Sequence, residues 1–329
     1  MQINTPISPG ETSTNSYKLF NRYVNLAVYS NNNSNPTLSI KTPNVPPTLL
    51  TGTPQAPTMN RKPDIQVTGT FISGVGVPGL SIRVTNLYTP VPIWTYVNHR
   101  MAVEVGYTSD PRLTCTFSGK IMTAGEEKPG PDSITVFQLY LGEYDFFNTA
   151  YISGNAPAGS TVDTVVQLLL SKLNSIPSSA FNYQVLYNPS NSAGAIPLSD
   201  KGAKGTDFSG TIKTVLQELK STYNLTVFID GASLRILKNG DYFGNNVFNI
   251  NYVTSLSRNA ASYVIKAPWI PALRPCDIIY ADPTIFKQSL GGSKAPPSTY
   301  QKVTIVDFDF ASVGKTNTMT LFTVNPGDQ

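Results

Sequence analysis

Few side chains in this chain could carry chemistry. His99 is the only histidine in 329 residues, so a multi-histidine metal centre is excluded and any Ser-His-Asp system would depend on this one imidazole. It lies in Tyr96-Val97-Asn98-His99-Arg100 and reads as a surface or interface histidine. Asp307 and Asp309 are two apart on an expected strand, which turns both carboxylates to one face, as a glycosidase pair requires. Their alternation with Val306, Phe308 and Phe310 is also what a solvated or inter-subunit polar face produces. Glu126-Glu127 precedes Lys128-Pro129-Gly130-Pro131 and reads as part of a solvated loop.

Cys115 and Cys276 lack metal-ligand spacing, and two thiols alone would leave a zinc site short of ligands. Cys115 alternates with Leu113 and Phe117, so it is expected as a small core residue on a strand. Gly74-Val75-Gly76-Val77-Pro78-Gly79 has glycines but leads into a strand, whereas a nucleotide loop turns from strand into helix. Gly202-Ala203-Lys204-Gly205-Thr206 lacks the full Walker spacing. No catalytic, cofactor-binding or metal-binding residue is therefore assigned, and no enzyme activity or cofactor is expected. Trp94, Tyr96 and Trp269 remain as aromatics that a carbohydrate-binding module could use.

Composition narrows the classes further. Charged residues are 13% of the chain, about half the usual share of roughly 25%. Disorder throughout is not expected at 10% aromatic content. A net charge of +4 without any Lys/Arg run is too weak and too scattered for a nucleic-acid footprint. Met1 to Gly10 is polar, and the apolar run around Val165 to Leu170 is far short of the roughly 20 residues that cross a bilayer. Neither a signal peptide nor membrane binding is expected, so the glycosylation-type triplets at Asn32 and Asn224 carry no meaning.

The elements that must position these residues are mostly strands. Residues 1–63 hold an expected hairpin, Tyr23 to Tyr29 and Thr37 to Ile40, joined by an Asn-rich turn. A proline-rich arm over 43–63 follows, expected to be mobile in an isolated subunit and ordered in an assembly. Residues 64–150 alternate as strands over 65–71, 80–84, 101–105, 113–121 and 134–141, which makes an antiparallel barrel or sandwich.

Residues 151–246 read as α+β. One helix starts behind a Ser160 cap with the stripe Val162, Val165, Val166, Leu169 and Leu173, and a second carries Ile212, Val215, Leu216, Leu219 and Tyr223. Asn188 to Gly210 between them is expected as a mobile loop, and Asp230-Gly231 as a hairpin turn. The two helices align at an interval of 50 residues, through duplication or through docking on similar sheets. Residues 247–329 return to β, with strands near 262–265, 277–280, 303–310 and 318–324 and an exposed loop over 287–300.

Several strings resemble one family. Arg61-Lys62-Pro63-Asp64-Ile65, Leu80-Ser81-Ile82-Arg83-Val84-Thr85-Asn86-Leu87-Tyr88, Val103-Glu104-Val105-Gly106-Tyr107, Phe117-Ser118-Gly119-Lys120-Ile121 and Pro129-Gly130-Pro131-Asp132-Ser133-Ile134-Thr135 resemble, in this order, the first β domain of baseplate hub proteins of tailed bacteriophages. Pro271-Ala272-Leu273-Arg274-Pro275-Cys276-Asp277-Ile278-Ile279 resembles the opening of that family's second β domain, with Cys276 where a glycine is expected. The resemblance spans roughly residues 20 to 325.

It implies two tail-tube-like β domains flanking a small α+β region. It also implies a homotrimer whose pseudo-sixfold ring adapts a hexameric tail tube to a trimeric central spike, beside other baseplate proteins. DNA would meet it only in transit through the lumen. The implied location is the tail baseplate of a virion, assembled in the host cytoplasm. Low charge suits large buried interfaces in such an assembly. The competing functions are a tail-associated cell-wall hydrolase built on His99 or on Asp307 and Asp309, and the carbohydrate-binding module named above.

Overall fold

The structure, a computed structural model, describes residues 21–30, 36–42, 64–74, 76, 78–87, 89, 91–129, 132–142, 148–175, 184–187, 206–230, 233–238, 242–259, 262–281, 284, 300–313 and 317–325. The proline-rich arm, the 287–299 loop and most of the 188–210 loop fall outside them.

Alternation sets the first strands. β1 (Arg22–Tyr29) and β2 (Pro36–Lys41) pair as an antiparallel hairpin, and β1 continues onto β5 (Arg100–Tyr107). β3 (Ile65–Ile72), β4 (Gly79–Thr85) and β7 (Ile134–Leu141) bury every second residue, among them Ile65, Val67, Phe71, Leu80, Ile82, Val84, Phe137 and Leu139. A single 3-10 turn, Ile93–Tyr96, lies between β4 and β5.

β6 (Asp110–Glu127) is eighteen residues long because it changes partner midway. Its first part pairs with β5 up to Lys120, and from Lys120 it pairs with β7. At the change-over the backbones crowd, and a Cβ on Gly119 would overlap the Tyr140 carbonyl oxygen. Glu126 and Glu127 pair with Thr135 and Ile134 on this strand, so they are not in a loop; the partner strand supplies the order that Lys-Pro-Gly-Pro argued against.

β13 (Phe243–Ile250), β14 (Ser255–Asn259), β15 (Ser262–Ala267), β16 (Asp277–Ala281), β17 (Tyr300–Ala311) and β18 (Asn317–Val324) complete the large sheet. β17 pairs along one edge with β18 and along the other with β16 and then β3. The strands of 64–141 and of 243–324 thus run into one thirteen-stranded sheet, with β14 and β2 at its ends.

The sheet closes over one apolar core. Trp269 is fully buried and stacks on Phe308, centroids 4.2 Å apart, while the Phe117 ring of β6 lies nearly parallel to both at 6.3 and 6.4 Å. Tyr107 of β5 donates its hydroxyl to the Trp269 carbonyl at 2.7 Å, locking early strands to late ones.

The α+β region has its own core. α1 (Val162–Asn174) buries Val162, Val165, Val166 and Leu169 and starts at Val162, one residue later than a Ser160 cap would place it. The Leu173 side chain lies outside the described residues. α2 (Ile212–Thr222) is capped by Thr211, whose side chain accepts from the Thr214 backbone N–H, and buries Ile212, Val215, Leu216 and Leu219.

Each helix follows a strand, β8 (Tyr151–Ala156) or β10 (Thr206–Thr211), and these two strands pair antiparallel. Residues 206–210, expected in a loop, are therefore strand: cross-strand partners order a Ser/Gly-rich run whose own pattern is silent. β11 (Leu225–Asp230), β12 (Ser233–Lys238) and β9 (Gln184–Tyr187) form a three-stranded sheet under the helices. Among the described residues no helix is long and apolar enough to cross a membrane.

Candidate functional site

Among the described residues, an open groove of about 820 Å³ lies on the face of the large sheet opposite the apolar core. Strand alternation builds it. Phe308 and Phe310 point into the core, so Asp307 and Asp309 point the other way and are half-buried there. Asp307 sits between Thr70 of β3 and Thr320 of β18, and Asp309 between Thr68 and Thr318. The Gln66 side-chain amide donates to Asp309 Oδ1 at 2.7 Å, and Gln138 donates to Ser81 Oγ at 3.1 Å. Gly69, facing the core between Leu80 and Phe308, lets the strands lie close: an added Cβ would come within 2.6 Å of Leu80.

This lining carries hydroxyls, the Gln138 amide and two carboxylates beside apolar Leu80, Met122, Leu139 and Phe308, and it contains no Lys, Arg, His or Cys. The two aspartates share a face as the sequence implies. Asp309 accepts an amide hydrogen bond, and both carboxylates lie among threonines. The groove has the chemistry of a wet, weakly acidic wall.

The other sequence candidates lie elsewhere. His99 is not in the groove; it closes the 3-10 segment, its N–H donating to the Tyr96 carbonyl and its carbonyl accepting from Ile121. Its Nδ1 is buried and, among the described residues, makes no hydrogen bond, so no carboxylate orients the imidazole as a triad would. Of the three aromatics, Trp94 is 67% exposed, but Tyr96 is buried and Trp269 lies at the centre of the core, so they form no binding platform. Glu127 pairs with Arg83 at 2.6 Å on the surface.

Sequence reasoning missed two buried polar clusters, because each joins side chains from segments far apart in the chain. In one, Glu104 accepts from the Tyr23 hydroxyl at 3.0 Å and from the Asn25 amide at 3.1 Å, bringing β1 and β5 together. Burial, chiefly, pushes the Tyr23 phenol up to about 12, with the Thr114 hydrogen bond opposing and Glu104 adding to it.

In the other, the Arg274 guanidinium is buried over the Phe71 and Phe117 rings and donates to Cys115 Sγ. Asp277, fully buried, accepts from the Arg274 backbone N–H at 2.8 Å and from Arg235 Nη1 at 3.1 Å. Burial raises its carboxyl above the usual range against the pull of Arg235.

Cys276 occupies this second cluster with φ +73°, and Asp277 N–H donates back to the Arg274 carbonyl. With Pro275 before it, this is the pattern of a type II turn, whose third position suits glycine. Cys276, standing where the resemblance expects glycine, holds the backbone conformation that glycine favours. Burial pushes the Cys276 thiol up to about 11, so it is a packing group and a poor nucleophile.

No family model matches the chain, and no curated protein sequence matches it. Solved structures do. A tail protein from Neisseria meningitidis MC58 superposes with a TM-score of 0.55 at 8% identity, covering 94% of this chain and 98% of that one. A 43 kDa tail protein of prophage MuSo2 from Shewanella oneidensis gives 0.52 at 8% identity, covering 93% and 97%. The E. coli c3393 protein gives 0.51 at 11% identity, covering 82% and 75%. That protein is a component of the type VI secretion system with structural similarity to the T4 bacteriophage tail proteins gp27 and gp5.

Proposed function

Starting from this shared phage-tail fold, we propose that the chain is a non-enzymatic structural protein of a virion tail, a baseplate hub. Three copies close a pseudo-sixfold ring, in which the segments 64–150 and 247–329 of each chain act as two tube-like units beside the 151–246 region. The ring joins a hexameric tube to a trimeric spike, with DNA passing through the lumen. Heterologous contacts repeated around a rotation axis close such a ring.

The observation that carries this reading is the groove wall. A channel for DNA must be wet and must not hold phosphates. A threonine-lined concave face with two aspartates and no cation meets both needs, because Lys and Arg are what bind a nucleic-acid backbone. The test is charge reversal. Particles carrying Asp307→Lys and Asp309→Lys are expected to assemble but to release DNA more slowly, increasingly so at low salt. Release at the wild-type rate at every salt concentration would remove this face from the lumen.

A further inference from the structure

The α+β lobe, residues 148–238, touches the large sheet through one face of its three-stranded sheet. Leu225, Val227 and Ile229 of β11 and Leu234 and Ile236 of β12 point inward and join α1 and α2 in the lobe's own core. Phe228 and Arg235 are direct cross-strand partners and, by alternation, point the other way. Leu237, further along that outer face, is also buried.

Phe228 is, among the described residues, the only side chain of 148–238 in the core of the large sheet. Its ring meets Phe71 edge-on at 6.2 Å and its backbone bridges to Gly74 in the β3–β4 connection. Arg235, beside it, reaches Asp277, whose other oxygen closes the Arg274–Asp277 turn.

We propose that this junction is a latch: the lobe stands on its own core and undocks from the large sheet as one body when Phe228 withdraws and Arg235 leaves Asp277. Two separate cores make the division physical, because each unit keeps its packed interior when they part. The ion pair suits a reversible contact. Desolvating Arg235 and Asp277 offsets most of their attraction, so the pair fixes the docking position more than it strengthens it. The latch is independent of whether copies form a ring.

The Cys276 thiol, buried beside Asp277 and within reach of the Arg235 charge, is the chosen reporter of the junction. In the full chain, Phe228→Ala combined with Arg235→Gln is expected to speed alkylation of Cys276, read by peptide mapping, by roughly tenfold or more. Amide exchange in α2 and β7 should stay within about twofold of wild type. Unchanged labelling would overturn the latch, as would faster labelling accompanied by loss of α2 protection.

The unaltered chain in low urea gives a second reading, which serves if the double variant does not fold. Cys276 labelling should rise with a shallower urea dependence than α2 exchange, because undocking exposes less surface than unfolding. Equal slopes would show that the lobe cannot part from the sheet without unfolding.

Discussion

Tyr23 and Tyr107 hold phenols that leave water on folding, one against Glu104 and the other against the Trp269 carbonyl. Burial raises both, Tyr23 to about 12 and Tyr107 further. The folded chain therefore keeps protons that the unfolded chain gives up near pH 10. Their contribution to stability is complete below pH 10 and is lost as pH rises through the folded values. Denaturant midpoints should accordingly fall between pH 10 and 12, and the fall should be shallower in Tyr23→Phe. Equal slopes in the two proteins would contradict this account of the Glu104 cluster.

At the same scale, the aspartate pair was legible from its spacing, because alternation alone turns Asp307 and Asp309 away from Phe308 and Phe310. The burial of Trp269 and the pairing of Asp277 with Arg235 were not, since each depends on chain segments far apart in sequence. Cys276 stands where the resemblance expects a glycine. The positive φ there reports that the surrounding contacts, including its N–H to the Val303 carbonyl, impose the glycine-type geometry on a cysteine.

Among the elements, β6 shows how tertiary pairing extends a pattern. The sequence marks 113–121 as strand, and the structure carries it from Asp110 to Glu127 because a second partner takes over at Lys120. Gly119 is the hinge of that exchange. Gly119→Ala would drive a methyl into the Tyr140 carbonyl and is expected to cost roughly 3 kcal/mol. Gly125→Ala on the same strand meets nothing within 4 Å and serves as the neutral control. Urea midpoints compare them, and similar losses at both positions would refute the crowding.

β8, β10, β13 and β14 escaped the sequence reading because runs such as Ser255-Leu256-Ser257-Arg258-Asn259 and Thr206-Asp207-Phe208-Ser209-Gly210 show little apolar alternation. Their partner strands define them. The helices were legible, since a stripe at i, i+3, i+4 and i+7 needs no distant partner to be seen. Their equal offset of 50 residues coincides with two strands, β8 and β10, that precede them and pair with each other.

Across the whole molecule, one large sheet with a concave face and a smaller lobe with its own core match the fold of phage tail proteins at about one identical residue in twelve. Such similarity survives because alternation and packing volume, rather than particular residues, specify a β fold. The proposed assembly is what would give the concave wall its meaning. A face that lines a channel should be enclosed when copies associate, while the same face on a single chain is an open groove.

The mass of the purified chain in solution, by light scattering over a range of concentrations and joined to negative-stain imaging, tests this most directly. The account predicts a species of three chains with a central hole at the upper end of the range. A species of one chain at every concentration, compact and without a hole, would contradict it.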